Sequence, residues 1–203
     1  MTKSLILAMV LSAGLASSVF AADESPNAVV ESAVAQLTES LEGRRDELAA
    51  DRKSLYELID AILLPRFDRK FAAQIVLAKH WRGANESQRT RFIEAFYQAL
   101  VRRYADGLLE FGQDQVKVLA YRGDASRPRT KVRSTVRLEN GSKVAVDYDL
   151  VKRESGWLLF NVVIEGVSYV RNFRAELDSE IRRSSLDAVI ERLEGEAGIS
   201  HDG

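Results

Sequence analysis

The chain has 203 residues, 46% of them hydrophobic, with 29 basic against 30 acidic side chains and a formal net charge of −1. That length supports one substantial domain with its own core. The near-neutral, interspersed charge argues against a nucleic-acid binder, which needs a basic face. The absence of cysteine excludes disulfides, thiolate metal sites and cysteine nucleophiles.

The first segment reads as a secretory signal. Lys3 precedes an apolar core from Leu5 to Leu15, and Val19 and Ala21 supply small residues at the positions a signal peptidase reads. The core is too short for a bilayer span, which takes about 20 residues. Residues 1–21 are therefore expected to be a signal peptide and 22–203 a single exported domain. An exported bacterial chain of this size without cysteines points to the periplasm.

Pro26 suits the first turn of a helix, and Val30, Val34, Leu37 and Leu41 then form one apolar stripe at helical spacing. Leu55, Leu58, Ile59, Ile62 and Leu63 form a second, stopped by Pro65. Asp68 is placed to cap a third helix carrying Phe71, Ile75 and Leu77. Asn85 with Gln88 three residues on resembles a capping box. It opens the longest helix, running to about Phe111, with a broad face of Phe92, Phe96, Tyr97, Leu100, Tyr104 and Leu108.

After Gly112 the period changes to two. Val116 and Val118 alternate with polar residues, as do Val132, Ser134 and Val136, and beyond the Asn140-Gly141 turn Val144, Val146, Tyr148 and Leu150. A turn at Ser155-Gly156 leads into Trp157 to Ile164. These are four strands in an antiparallel meander, over about residues 115–165, with one apolar face. Strict alternation puts Leu158, Phe160, Val162 and Ile164 on that face and Trp157, Leu159 and Val163 on the reverse, where helices must cover them. Helical spacing returns through Tyr169, Phe173, Leu177 and Ile181, then from Leu186 to Leu193. The fold class is α+β: a twisted four-stranded antiparallel sheet wrapped by about six to seven helices.

No phosphate loop, serine-nucleophile elbow or zinc-ligand spacing is present in the sequence. Asp147 and Asp149 alternate onto the polar face beside Lys143 and read as solvated cross-strand charges. His80 reads as a satisfied or surface histidine, and His201 lies in a polar tail. The paired arginines at 44–45, 102–103 and 182–183 read as solvated helix faces. What remains is a large set of apolar side chains on the long helix and the sheet. A packed core and a ligand cavity share that composition, so periodicity leaves both open.

Two blocks carry a resemblance. One comprises Leu63-Leu64-Pro65, Val76-Leu77, Trp81, Gln88-Arg89, Phe92 to Phe96, Leu100 and Tyr104. The other comprises Gly156-Trp157 through Phe160, then Glu165-Gly166-Val167-Ser168 and the helix bearing Phe173. Together they resemble the MlaC (toluene-tolerance auxiliary) family of periplasmic phospholipid-binding proteins. The chain departs from the pattern at Asn161, where many relatives have aspartate, and at Ala78, where glycine is common.

The resemblance implies a soluble carrier that holds acyl chains between sheet and helices, with Tyr104 and Val167 as pocket residues. Phe96, Tyr97, Leu100 and Leu108 on the helix, and Val132, Val146, Tyr148, Leu150, Phe160, Val162 and Ile164 on the strands, become candidate walls by inference. A glutamate at Val167 would then bury an unpaired charge. No cofactor and no metal are implied, only phospholipid as cargo. The implied partners are an inner-membrane ABC transporter complex and an outer-membrane lipoprotein complex of Mla type, and a monomer is expected. Two alternatives stand beside this: an enzyme on a cone-shaped α+β scaffold acting on a small apolar substrate, or an unliganded interaction module with a filled core.

Overall fold

The computed structural model describes residues 24–109, 115–138 and 140–199. The expected signal peptide, the end of the long helix at Phe111, and His201 lie outside those residues. In chain order the elements are α1 (Pro26–Leu41), α2 (Arg45–Ala50), α3 (Arg52–Leu63), a 3-10 turn (Leu64–Arg66), α4 (Arg69–Leu77), α5 (His80–Gly83) and α6 (Glu86–Leu109). There follow β1 (Val116–Val118), β2 (Arg129–Arg137), β3 (Lys143–Arg153), β4 (Gly156–Ile164), β5 (Val167–Ser168), α7 (Tyr169–Arg183) and α8 (Leu186–Ala197). No helix among the described residues is long and apolar enough to cross a membrane.

Local chemistry sets the helix starts. Asp68 caps α4 by accepting the Phe71 N–H at 2.9 Å. Asn85 and Gln88 form the reciprocal box: the Gln88 N–H donates to Asn85 Oδ1 at 2.9 Å and the Asn85 N–H to Gln88 Oε1 at 3.0 Å. Ser168 and Ser185 cap α7 and α8 in the same way. At the far end of α8, Gly198 takes the left-handed conformation at φ 63°.

The sheet is antiparallel throughout, in the order β1-β2-β3-β4-β5. The four expected strands are present, and β5 adds a two-residue edge that pairs Val167 with Ile164. The short helices α2 and α5 are likewise additional. Segments of two to six residues are too brief for a period to register.

One irregularity redirects side chains. Asp149 faces Asn161 across β3 and β4, yet the next residue, Leu150, faces Leu159, so Phe160 is an extra residue in a β-bulge. The strict alternation expected for β4 therefore fails. Leu159 joins the Val132–Leu150 cluster along with Trp157, while Phe160 enters the cluster on the opposite side.

Three apolar clusters hold the domain. The first joins α4, α7 and α8 to the Phe92, Phe96 and Ala99 side of α6, and takes Phe160 and Val151 from the sheet. The second packs α1, α2 and α3 against the Tyr97, Val101 and Ala105 side of α6. The third sets Val29 and Val30 of α1 on Val132, Leu150, Trp157 and Leu159. Thus α6 carries two apolar stripes, each at its own helical phase, and works as a central wall. Phe67, in the link between the 3-10 turn and α4, packs against all three clusters and forms a parallel bridge to Leu159.

Candidate functional site

Cross-strand partners in a sheet share a face, so the register defines the apolar wall. Val132 lies opposite Tyr148, Ser134 opposite Val146, and Val136 opposite Val144. On the other side Tyr148 lies opposite Val162, and Val146 opposite Ile164. At one end of this wall α1 and Phe67 cover Val132, Leu150 and Leu159. Val136 and Val146 are buried, yet neither belongs to any of the three packed clusters among the described residues. Val144, Val162 and Ile164 beside them are half-buried.

The polar groups on this face are few. Ser134 is buried and donates to the Val146 carbonyl at 3.2 Å, with its hydroxyl also 3.4 Å from the Tyr148 phenol. Burial pushes the Tyr148 phenol above its ordinary pKa. A neutral phenol and a satisfied hydroxyl leave the wall without charge.

The corner after β4 is built by Glu165, Gly166 and Val167. Glu165 sits at φ 49° and Gly166 at φ 79°, the left-handed turn that only glycine adopts without strain. Glu165 is anchored twice: its N–H donates to the Ala145 carbonyl at 3.0 Å, and its carboxylate accepts the Ala145 N–H at 2.5 Å. Val167 emerges at the sheet edge 50% exposed, a large apolar side chain left in water. Two residues on, the Tyr169 ring meets Tyr104 of α6 edge-on, with centroids 4.4 Å apart. Burial, and then Tyr169, raise the Tyr104 phenol above its ordinary pKa.

The candidate residues thus fall into groups. Val132, Val146, Tyr148, Leu150, Val162 and Ile164 share the sheet face. Phe96, Leu100 and Tyr104 lie on the α7–α8 side of α6, where Phe96 is sandwiched by Phe92 and Phe173, and Phe160 joins this side through the bulge. Tyr97 and Leu108 lie on the α3 side, and Tyr97 is deeply buried against Phe67. Val167 stands at the rim, so a glutamate there would meet solvent and not be buried as expected. Two contributors lacked a sequence signal. Phe67 sits outside every periodic stripe, and Tyr121, whose hydroxyl lies 2.6 Å from Thr130 Oγ1, occupies an irregular loop against the third cluster.

The candidate charges are engaged elsewhere. Asp147 and Asp149 share the polar face with Lys143, and the cross-strand Lys131 lies 2.8 Å from Asp147 and 3.8 Å from Asp149, on the face away from Tyr148. His80 Nε2 lies 2.8 Å from Asp178 Oδ1. No group of three or more His, Cys, Asp or Glu placed to hold a metal occurs among the described residues.

A helix-wrapped antiparallel sheet whose covered face is a wall of apolar side chains defines a class of α+β proteins. The chain belongs to the MlaC family: the family described as MlaC protein matches residues 31–195. It is similar to toluene tolerance protein ttg2D of Pseudomonas putida, 27% identical over 178 residues, 86% of this chain and 82% of that protein. It is also similar to the intermembrane phospholipid transport system binding protein MlaC of Haemophilus influenzae, 20% identical over 195 residues, 95% of this chain and 91% of that one. Among solved structures, the phospholipid-binding protein of Ralstonia solanacearum in complex with a phospholipid superposes with a TM-score of 0.76 at 26% identity. The match covers 85% of this chain and 96% of that one.

Proposed function

We propose that this chain is a soluble periplasmic phospholipid carrier. It shuttles lipid between an outer-membrane lipoprotein complex and an inner-membrane ABC transporter complex of Mla type, and so maintains outer-membrane lipid asymmetry. The observation that carries the reading is the sheet end around Val136, Val146, Val162 and Ile164, apolar and outside the packed clusters. Its likeness to a phospholipid-bound structure over nearly the whole fold supports the same cargo.

The energetics suit a carrier. Two acyl chains with on the order of thirty carbons hold about 24 kcal/mol of burial at roughly 0.8 kcal/mol per methylene. The protein need not exceed what a bilayer offers. It must come near enough that docking at either membrane tips the exchange. This task needs no catalytic group. The enzyme alternative requires an inward carboxylate or histidine beside a tyrosine, and Asp147 and Asp149 lie on the face of the sheet away from Tyr148.

Native mass spectrometry of periplasmically expressed protein, followed by organic extraction, tests the reading. Stoichiometric phospholipid is expected. Val162→Trp, which adds bulk to the apolar sheet face from a half-buried position, is expected to keep the fold and lower the lipid complement. Protein that is empty, and that takes up no lipid from phospholipid vesicles, would return the interaction-module reading to first place.

A further inference from the structure

A concavity lies between α4 and α7, apart from the apolar sheet face. It has a volume of about 360 Å³. Ala78 and Ala175 give it a small apolar surface above the buried Val76 and Leu77, and Lys79, Arg171 and Arg174 complete its lining. The only carboxylate in the lining is Asp178, and it is already engaged. Lys79 reaches it at 2.9 Å, His80 at 2.8 Å and Arg182 at 2.6 Å. The groove therefore carries a local excess of positive charge in a chain whose net charge is −1. Arg171 and Arg174 are both exposed, on the first two turns of the helix that starts directly after Val167.

We propose that this groove docks an acidic segment of a partner protein, with a small apolar side chain against Ala78 and Ala175 and carboxylates paired to Arg171 and Arg174. The inference rests on the carrier reading and names the chemistry of one contact such a carrier makes. Concavity and mixed lining select the occupant. An anionic membrane attracts clusters of about four to eight basic residues on an accessible surface, whereas here three cations line a small concavity together with Ala78, Ala175 and the engaged Asp178. A segment held there would set the partner beside Val167 and the Tyr104–Tyr169 pair, at the rim through which cargo would pass.

The test places a photocrosslinker in the full-length protein in its own host. Ala175→p-benzoylphenylalanine reports on the groove and Glu39→p-benzoylphenylalanine, exposed on α1, serves as the control. Irradiation is expected to join Ala175 to a partner peptide in which Asp or Glu flanks an apolar residue. Combining it with Arg171→Glu and Arg174→Glu should cut the yield about tenfold, and Lys at the partner's acidic positions should restore it. Absence of a crosslink above the control, a crosslink to lipid alone, or a protein crosslink that survives the charge reversal overturns the proposal. The reversal is also made in the chain without crosslinker, and its lipid complement and thermal midpoint are measured. Unchanged lipid with lost docking supports the groove assignment. A wild-type protein without lipid would instead refute the carrier reading, whatever the crosslink shows.

Discussion

Asn161 and Ser168 clasp the corner between the last long strand and α7. Ser168 Oγ donates to Asn161 Oδ1 at 3.1 Å, and the Val170 N–H donates to the same oxygen at 3.1 Å. The other half of the amide donates to Asp149 Oδ2 at 2.7 Å. Asn161 is thus an acceptor toward α7 and a donor toward β3, and both demands are met in a buried position. The departure from aspartate noted in the sequence has its reason in this chain: Asp149 requires a donor.

Replacing Asn161 by Asp sets a carboxylate against Asp149. The hydroxyl and N–H from α7 still suit it, so the penalty falls on the side facing β3. The cost at neutral pH is expected to be about 2 kcal/mol, from the lost donor and like-charge repulsion. The variant's carboxyl pair holds a proton more tightly in the folded than in the unfolded state. Its stability deficit therefore shrinks as pH falls and grows as pH rises. Urea unfolding at pH 7 and pH 4.5 checks this, and a deficit independent of pH would sink it.

Ala78 ends α4 at φ 48° and ψ −112°, a conformation that an L side chain resists. Relief of the strain in Ala78→Gly outweighs the added freedom of the unfolded chain. A net gain of about 1 kcal/mol is expected, raising the thermal midpoint by roughly 2–4 °C for a domain of this size. Calorimetry decides, and a lower midpoint would show that the strain is not there to relieve.

Among the described residues, Phe67 is the one partly buried side chain shared by the three clusters. Phe67→Ala should cost about 3 kcal/mol, since the cavity opens where sheet, α6 and α1 meet. Fluorescence of Trp157, in the third cluster, and far-ultraviolet circular dichroism are expected to shift together to lower denaturant. A loss confined to one probe would mean the clusters do not meet through Phe67.

Hydrogen bonds from Lys79 and then His80, with the charge of Arg182 nearby, hold the Asp178 carboxyl down to about 2. A depressed acid contributes stability above its unfolded pKa, about 3.9, and loses it as pH falls through the folded value. The stability difference between wild type and Asp178→Asn should be constant above about pH 5 and narrow between about pH 4 and pH 2. Thermal melts across that range measure it, and a difference that widens on acidification would reverse the assignment.

Much of the architecture is local enough to be read along the chain. The Asn85–Gln88 box and the Asp68 cap act within three residues, and the Asn140-Gly141 turn has Gly141 at φ 81°, as hairpin chemistry demands. The change of period after the long helix locates the sheet. Phe96 and Tyr97 show where such reading stops. Adjacent on one helix, they point about 100° apart, and one enters the α7–α8 cluster while the other enters the α3 cluster. Both are apolar, so composition had no means of separating them.

The alternation of apolar and polar residues, the caps and the turns determined which segments are helices and strands, because those signals act between near neighbours. The tertiary structure alone decided that Phe160 turns away from Leu159, because the bulge exists only in the pairing of β4 with β3. It alone decided that Val136 and Val146 are buried while, among the described residues, they lie outside the three packed clusters, because packing depends on which distant elements reach each side chain.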